Sequence, residues 1–216
     1  NGVSFKLNRG EKVCITGLEG SGKSTILSIV TGLRKPASGK VIMEGIPLEN
    51  LDALDVHTLI GENFLENDVF YGTVLENISL GRPYIGFTEV AKAADLVGLT
   101  PIIQNLKHGF DTLLIPEKKG LSSTMIQKIN LARCLVDNPK LLLLDEFLGT
   151  LDSEEQEAII DLLIHKMPET TLLAVSRDLA FAEKCDRIII LKDGKVFADD
   201  SPANLKSLGL LHPFLH

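Results

Sequence analysis

Nine consecutive residues constrain this chain more than any others: Gly17-Leu18-Glu19-Gly20-Ser21-Gly22-Lys23-Ser24-Thr25, a complete G-x-x-x-x-G-K-[ST] pattern. Before it runs Val13-Cys14-Ile15-Thr16, which has the profile of a buried strand. After it, Gly22 to Thr31 carries Ile26, Leu27 and Val30 at helical spacing, and Gly32 supplies a stop. A strand, a glycine-rich turn and a helix in that order have a physical purpose. The glycines let the backbone fold back so that successive N–H groups face one concavity at the positive end of a helix dipole, a cradle for phosphate. Lys23 is spaced to reach β- and γ-phosphates, and the Ser24 hydroxyl to join a Mg²⁺ shell. A chance glycine-rich turn would lack the flanking strand and helix.

A second element supports the first. Leu141-Leu142-Leu143-Leu144 is a continuous apolar run suited to a parallel strand buried on both faces, and it ends in Asp145-Glu146. Two carboxylates then emerge at the carboxyl edge of a sheet, where open α/β folds bind ligands. Asp145 is expected to hold Mg²⁺, and Glu146 to polarise an attacking water as general base. Alone, this pair could be an ordinary polar strand end; together with the loop it predicts a P-loop NTPase.

Composition narrows the alternatives. A hydrophobic fraction of 44% with 24% charged residues fills a core and excludes disorder as the main state. A net charge of −7 lacks the basic footprint of a sequence-independent nucleic-acid binder, so no nucleic-acid partner is expected. Every apolar stretch is broken by charge before the ~18 residues of a membrane span, and Asn1-Gly2-Val3-Ser4 has no signal-peptide pattern. Cys14, Cys134 and Cys185 each lie in an apolar segment, which predicts reduced, buried thiols in a cytosolic chain rather than a disulfide.

Strand and helix alternate along the chain, predicting a largely parallel sheet with right-handed crossovers. Pro36 to Gly39 reads as a turn, and Lys40 to Pro47 as an edge hairpin strand. Residues 75–138 change character: Gly81, Pro83 and Gly86 break the chain, Val90, Ala93, Ala94 and Val97 mark one helix, and Ile126 to Leu135 another. This helical block reads as an insertion in an α/β core formed by 1–74 and 139–216. Glu154 to Lys166 is an amphipathic helix with Ile159, Leu162 and Leu163 inward. Thr171–Val175 and Arg187–Leu191 are further buried strands around a Leu179–Cys185 helix, and Asp193-Gly194 makes a tight hairpin turn.

From Val3 to Val196 the chain resembles the nucleotide-binding domain of ATP-binding cassette (ABC) transporters. The resemblance rests on Leu33 to Gly39 after the phosphate loop, on Leu121-Ser122 with Gln127 and Leu131-Ala132-Arg133 where the family keeps its LSGGQ signature, on Leu151-Asp152, and on Asp186 to Ile189 with Asp193-Gly194. Glu76-Asn77-Ile78 and Gly109 to Thr112 look like export-type members. The resemblance implies a RecA-like P-loop core with a largely parallel sheet, an antiparallel β edge, and residues 75–138 as the helical signature subdomain. It implies ATP and Mg²⁺ as cofactors, bound by Gly17, Gly20, Ser21, Gly22, Lys23, Ser24 and Thr25, with Ser24 and Asp145 on the metal. It also implies a head-to-tail dimer in which Ser122 serves a second cassette's ATP. The partner beyond that is a transmembrane domain, fused or separate, which places the chain on the cytoplasmic face of a membrane.

Several positions depart from the family pattern. The signature reads Leu121-Ser122-Ser123-Thr124-Met125, so β-carbons stand where glycines allow close backbone approach. The switch histidine falls on Arg177, aligned by Val175-Ser176 and by Asp186 nine residues later. The Q-loop glutamine falls on Leu65, with Glu66 beside it. The aromatic that stacks on adenine would lie upstream of Asn1, as expected if the chain begins inside a longer polypeptide. The expected function is therefore an ATPase of reduced turnover driving export, with Glu146 and Arg177 as its catalytic residues. The alternatives are a largely non-hydrolytic regulatory module, in which the altered positions mark retained binding, and a soluble cassette of the same family. A lineage that drifted and compensated nearby would keep full activity.

Overall fold

The computed structural model describes residues 2–52, 56, 58–63, 69–116 and 121–215. Ten strands are present among them: β1 (Lys12–Gly17), β2 (Ile42–Met43), β3 (Ile46–Pro47), β4 (Ile60–Asn63), β5 (Gly72–Thr73), β6 (Leu113–Leu114), β7 (Leu141–Asp145), β8 (Thr171–Val175), β9 (Arg187–Lys192) and β10 (Lys195–Asp200). The helices are α1 (Lys23–Val30), α2 (Val74–Ser79), α3 (Phe87–Leu96), α4 (Thr100–Gln104), α5 (Ser123–Leu135), α6 (Ser153–Asp161), α7 (Leu179–Lys184) and α8 (Pro202–Ser207).

The main sheet has six strands in the order β10-β9-β1-β8-β7-β4, all parallel except β10, which runs antiparallel to β9. β1, β7 and β8 are nearly continuous apolar runs because helices cover both faces. Alternate side chains therefore serve two cores. Val13, Ile15, Leu143, Leu173 and Val175 pack with Leu27 of α1 on one face. Cys14, Leu142, Leu144, Leu172 and Ala174 join the residues of α5, α6 and α7 on the other.

Lys40 to Pro47 forms a hairpin, but not at the edge of the main sheet. Among the described residues β2 and β3 pair only with each other, around Glu44 and Gly45 at φ 52° and 83°. The antiparallel edge comes instead from β10, turned back through Asp193 and Gly194 at φ 51° and 72°. Two positive φ values in a two-residue turn match the right-handed twist of the strands they join.

Among the described residues between β4 and β7 the chain is largely helical. α5 packs against α2 and α3, and Arg133 of α5 donates from Nε to the Asn77 carbonyl and from Nη2 to Asn77 Oδ1 at 2.5 and 2.8 Å. The amphipathic segment after Asp152 is α-helical to Asp161 and continues as a π-helical turn over Leu162–Lys166, with Ile159, Leu162 and Leu163 buried as expected. All three cysteines are free and buried, and burial pushes the thiols of Cys14 and Cys134 up to about 12, so they remain protonated. Among the described residues no helix is long and apolar enough to cross a membrane.

Candidate functional site

β1 delivers the phosphate loop to the carboxyl edge of the sheet. Gly17 closes the strand at φ 145°, and a Cβ there would stand 2.2 Å from the Leu191 carbonyl oxygen of β9. Only glycine lets the chain turn that close to its neighbour. Gly20 and Gly22, at φ 73° and 99°, bend the loop back, and the Ser21 N–H donates to the Leu18 carbonyl at 3.2 Å. Ser21 Oγ is buried and, among the described residues, has no hydrogen-bond partner, an unmet polar group in the wall of the loop.

Lys23 opens α1 and is only 8% exposed. Its ammonium donates to the carbonyls of Gly17 and Leu18 at 2.7 and 2.9 Å. Burial pushes the amine's pKa down and repulsion by Arg177 adds to that, while Glu146, Asp145 and Glu19 act the other way. Ser24 follows, exposed, and its hydroxyl donates to Asp145 Oδ2 at 2.7 Å. Thr25, also exposed, completes the first turn of α1.

The strand register brings in the rest. Ile15 of β1 and Asp145 of β7 both pair with Val175 of β8, so β7 and β8 end level with each other and two residues before β1 reaches Gly17. Glu146 leaves β7 in the left-handed region at φ 44°, held by its N–H to the Val175 carbonyl at 3.0 Å. Arg177 leaves β8 between Ser176, whose hydroxyl accepts from the Asp178 N–H, and Asp178, which caps α7 through the Phe181 N–H. The guanidinium Nε then lies 3.6 Å from Glu146 Oε1, and Nη2 lies 3.3 Å from Glu19 Oε1. Partial burial raises the Glu146 carboxyl above its ordinary range, Arg177 pulls it back, and the neighbouring Asp145 charge pushes it up again.

The donor set fits a hard divalent cation. The Ser24 hydroxyl and the Asp145 carboxylate are both oxygen donors, already within hydrogen-bond distance of one another. Among the described residues no group of three or more His, Cys, Asp or Glu side chains could hold a metal. Two protein oxygens suit Mg²⁺, which is usually bound through one or two protein groups plus substrate phosphates.

Lys23, Ser24, Asp145, Glu146 and Arg177 thus share one edge of the sheet with the phosphate loop, and Ser122 does not join them. Its exposed hydroxyl caps α5, accepting from the Met125 N–H at 3.1 Å, and no hydrogen bond or ion pair links it to the loop among the described residues. The start of α5 is tied instead to the segment after Glu146. Gln127 Nε2 donates to the Phe147 carbonyl at 2.6 Å, and Thr124 Oγ1 to the Thr150 carbonyl at 3.3 Å. Leu65 and Glu66 lie outside the described residues. Sequence reasoning misses Glu19 because it fills a variable place in the loop pattern. Its acidic character inside a phosphate-binding motif is the available signal.

Residues 1–149 match the ABC transporter family. The chain is 32% identical over 209 residues to the mycobactin import ATP-binding/permease protein IrtB of Mycobacterium tuberculosis, covering 97% of this chain and 36% of that protein. It is 30% identical over 194 residues to the alpha-hemolysin translocation ATP-binding protein HlyB of Escherichia coli, covering 90% and 27% respectively. Among solved structures, a bacterial Atm1-family ABC exporter with ATP bound superposes with a TM-score of 0.91 at 27% identity, over 98% of this chain and 37% of that one. The chain therefore spans about a third of the length of the proteins it matches.

Proposed function

The chain belongs to the ABC transporter family as an ATP-binding domain of the exporter-related type, and on that footing we propose that it binds MgATP and hydrolyses it slowly to drive transport. The observation that carries this reading is the 2.7 Å contact between Ser24 and Asp145 beside the buried Lys23. It joins the phosphate loop to the carboxylate strand at one point.

In this reading the Lys23 ammonium exchanges the carbonyls of Gly17 and Leu18 for the β- and γ-phosphate oxygens, and the loop's N–H groups and Ser21 hydroxyl take further oxygens. Ser24 and Asp145 would hold Mg²⁺, whose charge offsets that of the phosphates. Glu146 orients a water and accepts its proton as the water oxygen bonds to the γ-phosphorus. The bond from that phosphorus to the β–γ bridging oxygen breaks, giving ADP and inorganic phosphate. Arg177 keeps a permanent positive charge beside the reacting group. That charge stabilises bound ATP and released phosphate alike, so it tightens the ground state without a matching gain in the transition state.

Ser122 and the first turn of α5, within a helical subdomain over residues 75–138, would serve the ATP of a second cassette in a head-to-tail dimer. A transmembrane domain, fused or separate, would take up the motion from the cytoplasmic face of the membrane. The Arg177–Glu146 contact also supports a second reading, in which ATP closes the dimer and its release, rather than its hydrolysis, resets it.

Calorimetric titration with MgATP tests the binding step. Lys23→Ala should weaken affinity on the order of 10²-fold, the size of two lost charge-assisted hydrogen bonds. Equal affinity in wild type and variant sinks the assignment. Phosphate release by the dimeric, membrane-anchored protein then separates slow turnover from none.

A further inference from the structure

We propose that Glu19 is a built-in competitor for the γ-phosphate: its carboxylate holds Arg177 over the phosphate loop until a nucleoside triphosphate displaces it. The inference rests on the ATP-binding reading above and adds a residue that sets the preference for ATP over ADP.

Glu19 stands in the turn of a loop built to receive a polyanion, where a carboxylate works against binding. Its side chain is 86% exposed, so packing does not account for it. Its partner is Arg177, brought from the end of β8, 158 residues away, with Nη2 donating to Oε1 at 3.3 Å. The same guanidinium faces Glu146 at 3.6 Å through Nε, which is buried and, among the described residues, has no hydrogen-bond acceptor. The planar fork of Arg177 is thus divided between two carboxylates, with Nη2 hydrogen-bonded to Glu19 and Nε facing Glu146 beyond hydrogen-bond distance. A phosphoryl group offers oxygens that such a fork can engage in parallel, which a single Glu19 oxygen does not. Lys23 feels Arg177 as a like charge. A γ-phosphate entering between them gains both and frees Glu19 into solvent. ADP ends one phosphate short and leaves the Glu19–Arg177 pair closed.

The test is calorimetric titration of the chain with ATP and, separately, ADP, in the presence of Mg²⁺, for wild type, Glu19→Gln, Arg177→Gln and the double variant. Circular dichroism confirms the fold of each. Glu19→Gln should tighten ATP about three- to fivefold, the scale of an exposed ion pair, and change ADP by less than about twofold. Arg177→Gln should weaken ATP more than ADP, and Glu19→Gln should have no effect in that background. Equal tightening of both nucleotides, or an effect that survives loss of Arg177, would reduce Glu19 to a general charge effect and overturn the proposal. If the wild type binds neither nucleotide, the ATP-binding reading fails as well, and the two failures are thereby told apart.

Discussion

The phosphate loop and the first turn of α5 are assigned to one reaction, yet their polar groups are satisfied in opposite ways. At the loop, groups far apart in sequence meet. Ser24 bonds Asp145 across 121 residues, and Arg177 reaches both Glu19 and Glu146. In the proposed function each of these contacts joins groups that a phosphate or a cation would re-partner. At α5 the partners are local or structural: Ser122 caps its own helix, Gln127 and Thr124 hold backbone carbonyls after Glu146, and Lys128 pairs with Glu155 at 2.8 Å. One region keeps its chemistry within the chain. The other keeps its shape within the chain and presents Ser122 outward.

Glu146→Gln puts the largest strain on that contrast. Hydrolysis should fall by about 10²–10⁴, the usual contribution of a positioned proton acceptor, while ATP affinity stays near wild type. With the reset step lost, ATP should hold two copies together through Ser122 and its neighbours. Light scattering at high protein concentration checks this, and a strictly monomeric variant in saturating ATP breaks the assignment of α5 to a partner's nucleotide.

Arg177→His combined with Leu65→Gln comes next. The swap removes a permanent cation 3.6 Å from Glu146 and offers groups that can orient water. Turnover should rise by up to about 10²-fold, the low end of what such groups supply. Single-turnover hydrolysis with parallel affinity measurements decides it: an unchanged or lower chemical rate shows that Arg177 already forms a working substitute for the histidine.

The smallest effect belongs to Ser122→Ala. Losing the cap of α5 should cost about 1 kcal/mol of stability in urea denaturation. ATP affinity of the single chain should not change, because among the described residues the hydroxyl's hydrogen bond is to its own helix. A large loss of affinity without dimer formation would place Ser122 with the loop after all and erase the distinction between the two regions.

Much of the core and of the loop is legible in the amino-acid sequence alone. The strands β1, β7, β8 and β9 declare themselves as largely apolar runs, since burial on both faces admits a polar side chain such as Thr16 only where it is hydrogen-bonded. The stretch Lys40–Pro47 is recognisable as a hairpin, but its pattern points to the wrong place in the fold. Alternation of apolar residues reports that one face is covered and not which element covers it. The outlying β2–β3 ribbon and the true edge strand β10 carry similar alternating patterns, and only pairing tells them apart.

The amino-acid sequence by itself determined whatever a contiguous stretch can encode: the turn of the phosphate loop, the lysine and serine that follow it, and the carboxylate pair at the end of an apolar strand. These depend on local sterics and on the two-residue period of a strand. The tertiary structure decided the encounters. Strand order sets β8 between β1 and β7, so the ends of all three converge and Arg177 comes to rest between Glu19 and Glu146. No local periodicity carries strand order. It follows from which arrangement buries both faces of the sheet at once, a property of the whole chain.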